Sequence, residues 1–466
     1  MLKDLYVYGK VTLIQKMIDI SKKERGKATM FFHGTSKVNN QNHLEIGGVD
    51  TIELAKKYGT PLYVYDVALI RQRARQFKET FAEEGVEAQV AYASKAFSSL
   101  AMFQLVNEEG LSLDVVSAGE LYTALLAGFP KERIHFHGNN KSYEELEYAI
   151  KEKIGCIVVD NFHEIALLEE LSKKHSWKVP VLLRVTPGIE AHTHDYILTG
   201  QEDSKFGFDL KNGQGDKAVA HAFHSPYLDL LGIHCHIGSQ IFEVTGFVMA
   251  TRKLFEKIAS WKDELSFVPR VLNLGGGFGI RYTSEDTPLP PSQYVREMVK
   301  EIKSQAEKLT IDIPEIWIEP GRSLVGDAGT TLYTVGSRKH IPNVRDYVAV
   351  DGGMSDNIRP ALYEAKYEAA LANRMNAPHE EKVSIAGKCC ESGDMLLWDI
   401  ELPKVESSDI LAVFCTGAYG YAMASNYNRM LKPAVVFVED GEAQLVIKRE
   451  TFEDLVRNEV GLKSKV

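Results

Sequence analysis

Lys95 lies in Gln89-Val90-Ala91-Tyr92-Ala93-Ser94-Lys95-Ala96-Phe97, flanked on both sides by apolar residues. An amine hemmed in this way loses hydration, its charged form is disfavoured, and the neutral form can add to an aldehyde to give an imine. The competing reading is an ordinary strand-end lysine that keeps its ammonium in water. Glu319-Pro320-Gly321-Arg322 sets a carboxylate and a guanidinium at the two ends of a turn. A carboxylate beside a pyridine nitrogen keeps that nitrogen protonated and the ring a strong electron sink. The guanidinium could bind a phosphate or a carboxylate through paired hydrogen bonds, although a surface ion pair would use the same residues. Gly275-Gly276-Gly277-Phe278-Gly279 follows an apolar run. Without Cβ atoms, such a loop lets backbone N–H groups approach a phosphate, or simply makes a tight strand-to-helix turn. Ile280 stands where GxGxxG needs its last glycine, which favours one phosphate over a dinucleotide. Ser239 could donate its hydroxyl to the same phosphate.

Histidines recur as His135/His137, His192/His194 and His234/His236. Residues i and i+2 of a strand point the same way, so each pair could chelate a metal, and a metal-dependent hydrolase is a competing reading. Such a site needs further ligands, and the imidazole of His236 could instead stack on an aromatic ring, so the balance is against a metal. Cys389-Cys390-Glu391-Ser392-Gly393-Asp394 puts two thiols beside a carboxylate. Adjacent cysteines rarely meet disulfide geometry. Cys390 and Glu391 could be an acid–base pair, or a buried thiol next to a solvated carboxylate. Tyr419, in Gly417-Ala418-Tyr419-Gly420-Tyr421, could cover a ligand or pack at a domain seam.

These side chains need elements to position them. From Ala88 to Arg322, β-rich runs alternate with amphipathic helical stretches. The runs are Ala88–Ser94, Leu111–Val116, Arg133–His137, Cys156–Asp160, Val179–Val185, Leu228–Ile237, Arg270–Leu274 and Glu315–Glu319, eight in all. Helical patterns include Leu100–Glu109, Tyr143–Lys151, Glu164–Lys174, Phe247–Leu265 and Ser292–Lys308. This alternation predicts an α/β fold with a closed (β/α)8 TIM barrel, an open doubly wound sheet being the alternative. Barrel active sites lie at the C-terminal strand ends. Those ends collect Lys95, Asp114, Ser117, His137, Asn139, Arg184, His236, Ser239, Gly275–Gly277 and Glu319–Arg322.

Beyond Gly326, strand-like runs dominate: Asp346–Val350, Lys382–Ala386, Leu396–Leu402, Asp409–Cys415, Ala434–Val438 and Ala443–Lys448. The last two flank Glu439-Asp440-Gly441-Glu442, a hairpin signal. A C-terminal antiparallel β domain is expected, joined by Leu62–Tyr65. The expected division is an N-terminal extension over 1–29, a barrel over 67–325, and a β domain over 30–66 and 326–466. Asp203–Gly215 and Thr283–Pro291 read as long loops.

The chain has 466 residues, 44% hydrophobic and 25% charged, as expected of a soluble globular protein with two or three domains. A net charge of −10 argues against nucleic acid or an anionic membrane as the main partner. Five scattered cysteines without a CxxC pair fit a reducing cytoplasm. No apolar run is long enough to span a membrane. The first 29 residues lack a signal-peptide pattern. They read as a short amphipathic helix near Val11–Ile20, or as sequence upstream of a true start at Met30, since Glu24-Arg25-Gly26-Lys27 can be encoded by purine-rich codons.

Further segments fall in a specific order: His43–Val49, Ala191–His194 with Ser204–Gly207, His234–Gln240, the Gly275 triplet, Glu319–Arg322, Arg359–Tyr363, Cys390–Asp394 and Gly417–Gly420. Together they resemble the diaminopimelate decarboxylases, within the barrel-type (fold type III) family that depends on pyridoxal 5'-phosphate (PLP). The resemblance runs from Met30 to Arg449. It implies decarboxylation of meso-2,6-diaminopimelate to L-lysine, with Lys95 as the Schiff-base lysine. His236 would stack on the cofactor ring, Ser239 and Gly277 would hold the phosphate, and Glu319 would pair with the pyridine nitrogen. Gly321, Arg322 and Tyr419 would also touch the cofactor. Arg322, Arg359, Tyr363 and Tyr419 would bind substrate.

The resemblance further implies a homodimer with shared active sites. Cys390, the proton donor, and Glu391, a substrate contact, would enter from the other subunit. Cys389 departs from the pattern by adding a second thiol; the spacing to Glu391 favours Cys390. Competing readings are a PLP decarboxylase of ornithine, arginine, lysine or a carboxylated polyamine, a non-catalytic PLP-binding homologue, and a PLP racemase. Glu391 with Arg359 speaks against the simple diamines of the first, an intact Lys95, Glu319 and Cys390 against the second, and the strong electron sink at Glu319 against the third.

Overall fold

A computed structural model describes residues 31–189 and 204–462; the expected helix at Val11–Ile20 and the pair His192/His194 lie outside the described residues. The eight β-rich runs form strands β1 (Ala88–Ala93), β2 (Ser112–Val115), β3 (Ile134–Phe136), β4 (Cys156–Val159), β5 (Val179–Thr186), β6 (Leu228–His234), β7 (Val271–Asn273) and β8 (Glu315–Ile318). Every neighbouring pair is parallel, and β8 returns to β1 through Ile316↔Ala88 and Ile318↔Val90, closing the barrel. A strand of such a barrel is covered on both faces and so reads as a continuous apolar run. All four residues of β4, Cys156-Ile157-Val158-Val159, are buried.

Side-chain caps start several outer helices just after the strand ends. Ser99 accepts from Met102 N, Ser117 from Glu120 N, Ser142 from Glu145 N and Asn161 from Glu164 N. Each cap satisfies an otherwise orphaned helical N–H and fixes where the loop turns back. Helix Val67–Glu83, capped by Asp66, was not anticipated, because its buried Leu69, Ile70, Ala74 and Phe77 alternate with arginine and glutamine. The expected loop Asp203–Gly215 is shorter than foreseen, as a helix already begins at Gln214. The stretch from Thr283 to Pro290 is loop, and helix Pro291–Leu309 follows.

The second sheet runs in the order Met395–Leu402, Glu381–Ala386, Arg345–Val350, Gly329–Ile341, Leu62–Asp66, Ala434–Glu439, Glu442–Ile447. It is mostly antiparallel, and Leu62–Asp66 joins it as expected. Two pairings are parallel: Leu62–Asp66 with Ala434–Glu439, and Arg345–Val350 with Glu381–Ala386. The first arises because a strand preceding the barrel meets one from the far end of the chain. Strand Gly329–Ile341 escaped the sequence reading because its second half, Ser337–His340, is exposed and polar. The hairpin turn is as expected, with Asp440 and Gly441 both at positive φ, 51° and 83°.

The seam between barrel and sheet reaches the cavity mouth. Tyr65 stacks on Phe97 with centroids 4.5 Å apart and donates to Gly417 O at 2.7 Å. Tyr419 N donates to Ala96 O at 2.9 Å, one residue from Lys95. Tyr63 donates to Asp356 O at 2.6 Å, and Asp356 accepts from Tyr333 at 2.5 Å and from Gly353 N at 2.8 Å. Burial, reinforced by Asp394 and Asp351, pushes the Asp356 carboxyl up to about 7, despite the hydrogen bonds from Tyr333 and Gly353. An acid with a higher value folded than unfolded holds its proton more tightly when folded, so its contribution falls as pH rises from about 4 to about 7. The melting temperature of the wild type minus that of Asp356→Asn is therefore expected to fall across that window. A difference independent of pH would contradict the assignment.

Candidate active site

A cavity of about 370 Å³ opens at the C-terminal ends of the barrel strands. Glu319 sits in its floor, immediately after β8, and is buried. Asn273, the last residue of β7, donates to Glu319 Oε1 at 2.6 Å, and His234, the last of β6, hydrogen-bonds Oε2 at 3.1 Å. His137, just past β3, brings Nε2 to 3.3 Å from Oε1. Burial alone would raise this carboxyl, but His234 and His137 outweigh it and hold Glu319 well below the usual carboxylate range. His137 moves the opposite way: burial lowers it, while Glu319 and Asp114 bring its net value above that of a free imidazole.

His236 lies above this floor and accepts from Gly276 N at 3.2 Å. Burial, with Lys95 and Arg184 nearby, drives it well below the ordinary histidine value, leaving a flat neutral ring. The two described His-x-His pairs are divided between different partners, although His135 and His137 both come within 3.5 Å of Asp114 Oδ1. His137 and His234, one from each of two pairs, meet at Glu319, while His135 stacks on Trp317 at 4.2 Å.

Lys95 occupies a single 3-10 turn, Ser94–Ala96, at the lip of β1 and lines the cavity. Its side chain is exposed, so the apolar enclosure expected from the sequence is not what surrounds it. The flanking residues that suggested it, Ala93, Ala96 and Phe97, are themselves buried, whereas Lys95 extends into the open cavity.

On the opposite wall, Gly277 has φ +103°, and a Cβ there would stand 2.3 Å from Gly238 O. Gly321 is nearly as confined, since its Cβ would lie 3.0 Å from the Cβ of Ala93. Ser239 accepts from Arg322 Nη2 at 3.0 Å. Arg322 also donates to Tyr282 and lies 4.9 Å from the Tyr419 ring centroid, and its buried Nε has no hydrogen-bond partner. Arg359 is buried and donates to two phenols, Tyr282 at 3.1 Å and Tyr367 at 2.6 Å. Tyr363 stands at the rim, 41% exposed.

Asn273, Tyr282 and Tyr367 were missed by sequence reasoning. Asn273 alone carried a signal, as a polar residue closing an apolar strand just before the glycine triplet. Cys390 and Glu391 are exposed and do not line the cavity of their own chain. Cys389 is buried, and burial and Asp394 raise its thiol. The backbone N–H of Cys389 donates to Asp394 at 2.7 Å, and that of Cys390 to Asn428 at 2.6 Å.

The lining suits PLP on structural grounds. It offers a cavity-facing amine, a carboxylate held ionised, a neutral flat imidazole, a glycine loop that admits no Cβ, and an arginine with an unpartnered buried N–H.

Comparisons with known proteins agree with this chemistry. Residues 67–326 match the family model for the pyridoxal-binding domain of pyridoxal-dependent decarboxylases. Diaminopimelate decarboxylase of Bacillus methanolicus is 72% identical over 421 residues, covering 90% of this chain and 98% of the relative. That of Bacillus subtilis (strain 168) is 68% identical over 437 residues, covering 94% and 100%. The crystal structure of diaminopimelate decarboxylase from M. jannaschii in complex with L-lysine superposes with a TM-score of 0.87 at 37% identity, covering 93% of this chain and 99% of that one.

Gly277→Ala is expected to weaken cofactor binding at least about tenfold, because the added methyl must displace the Gly238 carbonyl. Titration of cofactor-stripped protein with PLP measures this, and an unchanged affinity would remove the glycine loop from the phosphate site.

Proposed function

We infer the reaction from a plain premise: this chain belongs to the pyridoxal-dependent decarboxylases, and within them to the diaminopimelate decarboxylases. It is a PLP-dependent carboxy-lyase that converts meso-2,6-diaminopimelate to L-lysine and CO2. The observation that supports this most directly is Glu319, a buried carboxylate kept ionised by histidines on the cavity floor. When bound, PLP supplies an aldehyde that condenses with amines and a ring that accepts the electron pair left by a departing carboxylate.

Each residue then has a task. Lys95, whose amine faces the cavity, would hold the cofactor. Glu319 keeps a proton on the pyridine nitrogen, and His234 and Asn273 keep Glu319 in place. His236 presents its neutral face to the ring. Ser239, Gly277 and Gly321 hold the phosphate, with Arg322 beside them. Arg359 and Tyr363, with Arg322 and Tyr419, bind substrate. Arg359 has phenols but no carboxylate among its described hydrogen-bond partners, so it is prepared to receive one.

Residues 67–325 are taken as the cofactor-binding barrel, with 30–66 and 326–466 as the second domain. The working unit is a homodimer. Cys390 and Glu391, exposed in one chain, complete the cavity of the partner, where the Cys390 thiol returns a proton to the α carbon and Glu391 meets the distal ammonium. A substrate with both a distal ammonium and a distal carboxylate satisfies Glu391 and Arg359 together; a simple diamino acid brings no carboxylate to the buried Arg359 charge, which then has only its two phenols. Among the described residues no helix is long and apolar enough to cross a membrane. The five cysteines are unpaired, consistent with a cytoplasmic enzyme.

Two outcomes test these roles. Lys95→Ala is expected to abolish CO2 release from diaminopimelate, and residual turnover with a different lysine modified would overturn the assignment. Cys390→Ala should lower kcat by about a hundredfold or more, the scale of a lost general acid, while Cys389→Ala stays near wild type. The reverse pattern would transfer the donor role to Cys389.

A further inference from the structure

The cavity floor holds more metal-ligating groups than pyridine binding uses. His137, His234 and Glu319 place ligand atoms within 4.8 Å of one another, all on buried residues. His137 Nε2 lies 3.3 Å from Glu319 Oε1, His234 Nε2 3.1 Å from Oε2, and His137 Nε2 3.5 Å from Asp114 Oδ1. Ligands held at about 2.0–2.1 Å around a tetrahedral zinc stand roughly 3.3–3.4 Å apart, so the His137–Glu319 and His234–Glu319 separations are close to those of neighbouring ligands. Two of the atoms, His137 Nε2 and Asp114 Oδ1, are buried without a hydrogen-bond partner. His234 can offer Nε2 by moving its proton to Nδ1. That atom is unpartnered already, so the change sacrifices no hydrogen bond at that end.

Charge points the same way. The buried Arg184 guanidinium nearby is opposed by Asp160 and Glu319 together, and Glu319 and Asp114 also face the His137 imidazole. A divalent cation would match both. We propose that, when PLP is absent, the cavity floor binds one borderline divalent ion such as Zn2+ through His137, His234 and Glu319, with Asp114 beside His137 orienting its imidazole, and that ion and cofactor exclude each other because both need the Glu319 carboxylate. Only the exclusion rests on the PLP reading above; the ion site stands on the ligand geometry alone. Zinc in this position blocks cofactor loading.

The full-length chain, freed of metals and tested with and without PLP, is titrated with Co2+ as a spectroscopic probe, and Zn2+ is then added as competitor. The expected result without PLP is one Co2+ per chain by equilibrium dialysis, with the strong visible bands of a four-coordinate nitrogen and oxygen site, displaced by Zn2+. His137→Gln, and independently the near-isosteric Asp114→Asn, should weaken binding at least about tenfold. PLP-loaded protein should not take up the ion.

No stoichiometric binding, binding unchanged in both variants, or a thiolate-to-cobalt band that vanishes in Cys390→Ser would each overturn the site. Uptake equal in loaded and unloaded protein would overturn the exclusion. Because dialysis reads the ion and not CO2, failure of the decarboxylase assignment would leave this result standing, and the converse also holds.

Discussion

A carboxylate buried in a barrel is costly unless donors replace the water it has lost. Glu319 is in that position, and Asn273 and His234 supply the replacement, with the His137 imidazole 3.3 Å from the same carboxylate. They come from the ends of β7, β6 and β3, so the carboxylate stays ionised only if the barrel closes with those ends in register. Closure through β8 and β1 sets Glu319 and Lys95 on neighbouring strands of one cavity. The anionic floor and the amine at the lip are thus consequences of a single topological fact.

The second sheet serves the same cavity from above. Tyr65 and Tyr63 leave the strand that precedes the barrel and bond to the segments carrying Gly417 and Asp356. Tyr419 and Arg359 arrive on those segments, and the hydroxyl of Tyr282 joins Arg359 to Arg322. The placing of Arg359 and Tyr419 at the cavity therefore depends on the packing of the second sheet against the barrel.

Much of this was legible in the sequence. The barrel strands are short apolar runs with polar residues at their C-terminal ends, and both halves of that signal are local. That Lys95, Glu319 and the glycine triplet would meet at the strand ends followed from their places in the alternating pattern. Other features depended on tertiary contacts. Asn273 is an unremarkable strand residue until β8 brings Glu319 beside it, and Tyr282 and Tyr367 gain meaning only when Arg359 packs between them. The pair His234/His236 divides for a related reason. Periodicity says that i and i+2 share a face, but β6 ends at His234, so His236 leaves the strand and turns to Gly276. Lys95 was expected in apolar surroundings because its sequence neighbours are apolar, yet in the fold those neighbours turn inward and Lys95 does not.

The central claim is electrostatic: Glu319 stays ionised in the barrel and holds a proton on the cofactor's ring nitrogen. Nitrogen-15 NMR of enzyme loaded with ring-labelled PLP reads that proton directly. The account predicts a pyridinium shift in the wild type, retained above the pH at which free PLP loses this proton, and a neutral-pyridine shift in Glu319→Gln. A neutral-pyridine shift in the wild type at neutral pH would contradict it.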